Sequence, residues 1–153
     1  MASPFDLTTG ADGYFVSRDY MGTVLRKRLD FSKANGSGAS LLTTEVAKLI
    51  PIPSGFVLME VLAEVVTAGT AGSSFQMGDT ATAAGFSATD ITAASVAGTV
   101  FKASGTLLND PTSATTAAAT KSKYYPSGGT FQVTAVTAPA TGVFDFTLVG
   151  FQK

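Results

Sequence analysis

Between residues 56 and 66 the two carboxylates fall on the same side of a period-two alternation, and this period of two constrains the fold more than any other feature. Read as a strand, Phe56, Leu58, Glu60, Leu62, Glu64 and Val66 share one face, while Val57, Met59, Val61, Ala63 and Val65 make the other face wholly apolar. A helix competes, because Glu60 and Glu64 would share a stripe at i,i+4. The β-branched valines, with Pro51, Pro53 and Gly55 just upstream, decide for the strand. The alternation recurs over residues 130–137, where Phe131, Val133 and Ala135 oppose Gln132, Thr134 and Val136. It recurs again over 143–151, where Phe144, Phe146 and Leu148 oppose Asp145 and Thr147. The linker Ala138-Pro139-Ala140-Thr141-Gly142 predicts that these two strands form an antiparallel hairpin.

Further strands are expected over residues 14–20, 23–31, 41–50, 73–77 and 99–103. With turn residues between them and no convincing long helix, the chain reads as all-β. An antiparallel β-sandwich or jelly-roll-like domain fits best, with an N-terminal extended arm. The expected division is residues 1–38 for the arm and first strands, and 39–153 for the sandwich. Asn35-Gly36-Ser37-Gly38 reads as a flexible joint between them, and six of the ten basic residues precede position 50. Residues 80–98 and 104–129 are rich in Ala, Thr, Ser and Gly, and both exceed the ~12–15 residues usual for a structureless loop. A helical turn is expected near 88–93 and a projecting loop at 113–120. Such segments suit a surface ordered by a neighbouring subunit.

Composition removes most chemistry. The chain has no Cys, His or Trp, so disulfides, thiol nucleophiles, zinc fingers and a Ser-His-Asp triad are all impossible. Only 14% of residues are charged, against roughly 25% in an ordinary domain, and the net charge of -1 argues against neutralising phosphates. No apolar run reaches the ~18 residues of a spanning helix, and Met1-Ala2-Ser3-Pro4-Phe5-Asp6 lacks a basic region followed by an apolar core, so no signal peptide is expected. Neither a membrane nor a nucleic acid is therefore expected as partner. The protein is expected to stay in the cytoplasm where it is made, or to leave the cell by lysis.

Individual candidates are thin. Glu60 and Glu64 lie roughly 13 Å apart by strand rise, beyond the ~5–9.5 Å of a glycosidase pair. Asp79 and Asp90 sit near glycines, yet no calcium-loop spacing occurs, and no metal or cofactor is expected. Residues 69–72 read as a hairpin turn rather than a phosphate cradle, and Asn35 as a turn residue rather than a glycosylation site. Tyr124-Tyr125-Pro126 is expected to lead into the next strand with rings on the core and hydroxyls outward. In Arg26-Lys27-Arg28, alternation puts both arginines on one face and Lys27 on the face of Leu25 and Leu29. The arginines read as a solvated face, or as a grip on an acidic protein surface.

Leu29-Asp30-Phe31-Ser32, the stretch Val46-Ala47-Lys48-Leu49-Ile50-Pro51-Ile52-Pro53-Ser54-Gly55, the strand ending Glu64-Val65-Val66-Thr67-Ala68, Phe75-Gln76-Met77-Gly78-Asp79, and Tyr124-Tyr125 with Gly129-Thr130-Phe131-Gln132-Val133-Thr134 follow one another in a familiar order. This order resembles that of the decoration, or cement, proteins that stabilise the heads of tailed bacteriophages, over about two-thirds of the chain and excluding the arm. The resemblance implies a non-enzymatic virion protein, often trimeric, on the capsid exterior, where it bridges subunits of the major capsid protein. Phe5, Tyr14, Phe15, Arg18 and Tyr20 of the arm, with Arg26 and Arg28, are then the expected capsid contacts. The alternative is a receptor- or carbohydrate-binding head module of a tail fibre or spike.

Overall fold

The computed structural model describes residues 5–6, 15–19, 22–87, 89–104, 107–108 and 122–153. Eleven strands occur among them: β1 (Phe5–Asp6), β2 (Phe15–Asp19), β3 (Gly22–Asp30), β4 (Val46–Ile52), β5 (Phe56–Thr67), β6 (Ser74–Asp79), β7 (Ile91–Thr92), β8 (Val100–Lys102), β9 (Lys123–Tyr125), β10 (Gly129–Thr137) and β11 (Val143–Gln152). They form two sheets packed as a sandwich. Sheet A runs β1-β4-β10-β6-β7, and sheet B runs β2-β3-β11-β5-β8, with β9 also on β5. Every pairing is antiparallel except the two-residue β1–β4 contact. The fold is the all-β sandwich that the alternation predicts.

The core is a run of phenylalanine rings between the sheets. Phe75 of β6 lies 4.9 Å from Phe144 of β11, and Phe131 of β10 lies 5.5 Å from Phe146. Phe31, in the 3-10 turn after β3, touches both Phe75 (5.0 Å) and Phe144 (5.6 Å). Each ring is fully buried and contributes roughly 1.5–3 kcal/mol by leaving water, with tilted and edge contacts adding to that.

This core explains why the expected hairpin does not form. β10 and β11 lie in opposite sheets, and residues 138–142 cross from one to the other. Side by side in one sheet, their two aromatic faces would point the same way and lack a partner. Placed in facing sheets they fill each other, as the Phe131–Phe146 contact shows. Residues 68–73 are likewise a crossover, from β5 to β6, and not a hairpin turn. The two crossovers meet: a Cβ on Gly69 would fall 2.3 Å from the Thr141 carbonyl oxygen.

Strict alternation also fails inside β5. Phe56 and Leu58 are buried, but so are Val61, Ala63 and Val65. A bulge does this: Gly150 of β11 faces Leu58 while Val149 faces Glu60, leaving Met59 unopposed. One inserted residue changes the parity, so both apolar halves of the strand reach the core.

Other departures are local. Residues 41–45 form a turn, with Thr44 at φ 69° and the Leu42 amide donating to Glu45 Oε2 at 2.7 Å, and the strand begins only at Val46. Where a helical turn was expected near 88–93, Ile91 and Thr92 pair with β6 as β7. The segment 35–38 is a tight turn, in which Asn35 Oδ1 accepts from the Ser37 amide (3.1 Å), the Ser37 hydroxyl (2.9 Å) and the Ala39 amide (2.8 Å). Residues 113–120 lie outside the described residues.

Candidate functional site

No third layer covers the outer face of sheet B among the described residues, and strand register arranges its side chains in rows. One row reads Arg28, Asp145, Glu64 across β3, β11 and β5; the next reads Arg26, Thr147, Leu62, Lys102 and reaches β8. Then come Val24, Val149 and Glu60, and at the far end Phe151, Val57 and Tyr124 across β11, β5 and β9. The face thus changes from charged to apolar along the strands.

The charged rows are satisfied from within. Asp145 is only 4% exposed and accepts from Arg26 Nη2 at 2.7 Å and from Arg28 Nε and Nη2, each at 2.8 Å. The Arg28 hydrogen bond, helped by the nearby Arg26 charge, holds the Asp145 carboxyl below its ordinary value against the opposing effect of burial. Arg26 also lies 3.5 Å from Glu64, and Lys102 lies 3.7 Å from Glu60. Three cations against three carboxylates leave these rows without net charge.

A second polar cluster lies at the apolar end, inside the sandwich. Asp79, the last residue of β6, is 2% exposed. Its Oδ2 accepts from Lys123 Nζ and from the Tyr125 hydroxyl (2.8 Å); its Oδ1 accepts from the amides of Ala81 (3.0 Å) and Thr82 (2.9 Å). Burial pushes the Asp79 carboxyl up, but the bonds from Lys123, Tyr125 and the Thr82 amide outweigh it and hold the carboxyl below its ordinary value. Burial, and then the Asp79 carboxylate, push the Tyr125 hydroxyl upward. Gly78 makes the loop possible, since a Cβ there would lie 2.1 Å from the Thr82 carbonyl oxygen.

Of the expected contact residues, Tyr14 and Tyr20 lie outside the described residues. Phe5 belongs to β1, and Phe15 and Arg18 belong to β2, where they pair with Arg26 and Thr23. Arg26 and Arg28 share the outer face of β3 as alternation requires, and Lys27 is buried between Leu25 and Leu29 on the inner one. The tyrosines divide: Tyr125 turns inward with its hydroxyl on Asp79, while Tyr124 stays exposed, contrary to the expectation of two hydroxyls pointing out. Asp90 accepts from Gln76 at 2.7 Å. No group of three or more Asp or Glu among the described residues could hold a metal ion. The pairing of Asp145 with two arginines, and of Asp79 with Lys123 and Tyr125, spans 44 to 119 residues of sequence, and local spacing carries no trace of it.

No family model and no curated protein matches the chain. Solved structures do share its fold. A chain of the acidic stable capsid structure of Helicobacter pylori bacteriophage KHP30 superposes with a TM-score of 0.56 at 14% identity, covering 90% of this chain and 92% of that one. A chain of the capsid of Ralstonia phage GP4 gives 0.51 at 18% identity, with 91% of each chain covered. A chain of the cyanophage Pam1 capsid asymmetric unit gives 0.51 at 13% identity, with 90% of each covered. Each likeness covers at least 90% of this chain, so what is shared is the fold and not one local motif.

Proposed function

We propose that this chain is a structural component of a phage virion, one that binds the outside of the assembled capsid and stabilises it by bridging major capsid subunits. The observation that carries this reading is the likeness to chains of three phage capsids, each over at least 90% of this chain. The charge economy of the outer face of sheet B supports it. A face whose carboxylates already have cations can be covered by a partner without stranding a charge. The role needs no catalysis and no cofactor. Binding only the assembled shell stabilises that state by RT ln(1 + [L]/Kd) per site, so modest affinity repeated over many sites is enough. We take the unit to be a homotrimer, with the N-terminal residues Phe5, Tyr14, Phe15, Arg18 and Tyr20 as contacts to shell subunits and Arg26 and Arg28 at the margin of that contact.

Quantitative mass spectrometry of intact virions tests this. A copy number equal to that of the major capsid protein, or a simple fraction of it, is the expected result. A few copies per particle would overturn it in favour of a receptor-binding module on a tail fibre or spike.

A further inference from the structure

The row Phe151–Val57–Tyr124 is apolar, crosses three strands and lies at the end of a sheet face that is otherwise charged. Tyr124 is 50% exposed, Phe151 44%, and Met59, in the adjoining bulge of β5, 53%. Single exposed apolar residues are ordinary, but a cross-strand row of them is a contact surface in want of a cover.

The row is also held rigid. In the three-residue strand β9, Lys123 and Tyr125 turn inward onto Asp79, and alternation then fixes Tyr124 outward. Beyond Phe151, Gln152 Nε2 donates to the Ser54 carbonyl at 3.1 Å and the Lys153 amide to the Gly55 carbonyl at 2.9 Å, so the end of β11 is tied down. Lys153 Nζ stands 5.7 Å from the centre of the Tyr124 ring. Side chains already fixed lose little freedom when a partner covers them, which is how an anchor gains affinity.

Size and charge choose the occupant. Two half-exposed rings of ~150–250 Å² each leave the row on the order of 200 Å², about a quarter of the roughly 800 Å² per partner of a stable pairwise interface. That is too little to hold two copies together through the row alone, but enough for one of many contacts on a repeating lattice. The adjoining rows carry no net charge, so the matching surface is apolar and uncharged rather than acidic. Building on the capsid-binding reading above, we infer that the Phe151–Val57–Tyr124 row docks on an apolar, uncharged protein surface of the assembled shell.

Co-sedimentation of the purified full chain with shells lacking it tests the inference. Wild-type protein is expected to pellet with the shells. Tyr124→Asp and Phe151→Asp are each expected to weaken binding at least tenfold while retaining wild-type circular dichroism and unfolding midpoints. The milder Tyr124→Ser and Phe151→Ser stand in if an aspartate variant fails to fold. Leu42→Asp, at an exposed apolar position in the 41–45 turn, is expected to bind within twofold of wild type. Wild-type protein that does not pellet overturns the capsid-binding reading itself. Folded variants that pellet like wild type overturn only the assignment of the row. Light scattering that shows a wild-type dimer in solution, broken by Tyr124→Asp, overturns the choice of occupant in favour of a second copy.

Discussion

Asp79 and Asp145 look alike in isolation: each is almost wholly buried, and each accepts hydrogen bonds from two other side chains. They differ in what they join. Asp145 of β11 holds two arginines of β3, a neighbouring strand to which a backbone ladder already fastens it, and both arginines are about half exposed. Asp79 of sheet A holds Lys123 and Tyr125 of β9 in sheet B, between strands that share no ladder. One carboxylate braces what the backbone has settled, and the other is the clasp itself. Burial of a charge therefore says little about its weight until the exposure of its partners and the alternative ties between their strands are known.

The comparison breaks most visibly under truncation. Asp79→Ala should cost about 3 kcal/mol, because it leaves an ammonium and a buried phenol without their acceptor. Asp145→Ala should cost about 1 kcal/mol, since its arginines can turn to water. Urea unfolding midpoints measure both. Hydrogen exchange adds the sharper contrast: β9 amides should lose protection in the first variant and keep it in the second. Equal costs, or β9 protection surviving in Asp79→Ala, would remove the distinction between clasp and brace.

Acid acts on both. Each carboxyl titrates below its unfolded value of about 3.9, so the stability it confers is fully present above that pH and is lost as pH falls through the lower folded value. Wild-type stability should hold from about pH 7 to about pH 5 and fall below about pH 4. Asp79→Asn and Asp145→Asn should each flatten that fall. In 1 M salt, where the Debye length is about 3 Å, the difference between wild type and Asp145→Asn should shrink, because its partners face solvent. The difference for Asp79→Asn should change less. The same salt response in both would refute the contrast.

Why the strands could be read in the sequence and these clusters could not is a matter of range. Period-two alternation is local, and residues 56–66, 130–137 and 143–151 carry it plainly, so three of the longest strands and the sandwich class follow from it. Which sheet a strand joins depends on what its inner face meets. The hairpin reading of β10 and β11 failed there, because nothing near residue 140 says that Phe131 needs Phe146 across the core. The bulge at Met59 is equally silent, since its cause is the partner register on β11. β9 is only three residues long, and its anchor, Asp79, lies 44 residues before Lys123. Alternation did place Arg26 and Arg28 on one face, but the carboxylate between them comes from a strand 117 residues further on.

Smaller changes sharpen the same contrast. Tyr125→Phe removes one of the four bonds to Asp79 and should cost about 1 kcal/mol, with Lys123 and the Ala81 and Thr82 amides still in place. The Tyr125 hydroxyl titrates above its unfolded value near 10, so the stability it confers is present below that pH and is lost as pH rises beyond it. Tyr125→Phe should lack that part of the alkaline loss, as a pH series of unfolding midpoints would show.

Glu64→Gln should do least. The carboxylate lies 3.5 Å from Arg26 with both side chains about half exposed, and Arg26 keeps its shorter bond to Asp145 when Glu64 is neutral. Water and the second carboxylate absorb the change, so the expected cost is at most about 0.5 kcal/mol. A double-mutant cycle with Arg26→Gln reads the coupling directly. A coupling near 1.5 kcal/mol or more would mean that the outer network acts as one cooperative unit, and Asp145 would then carry weight closer to that of Asp79.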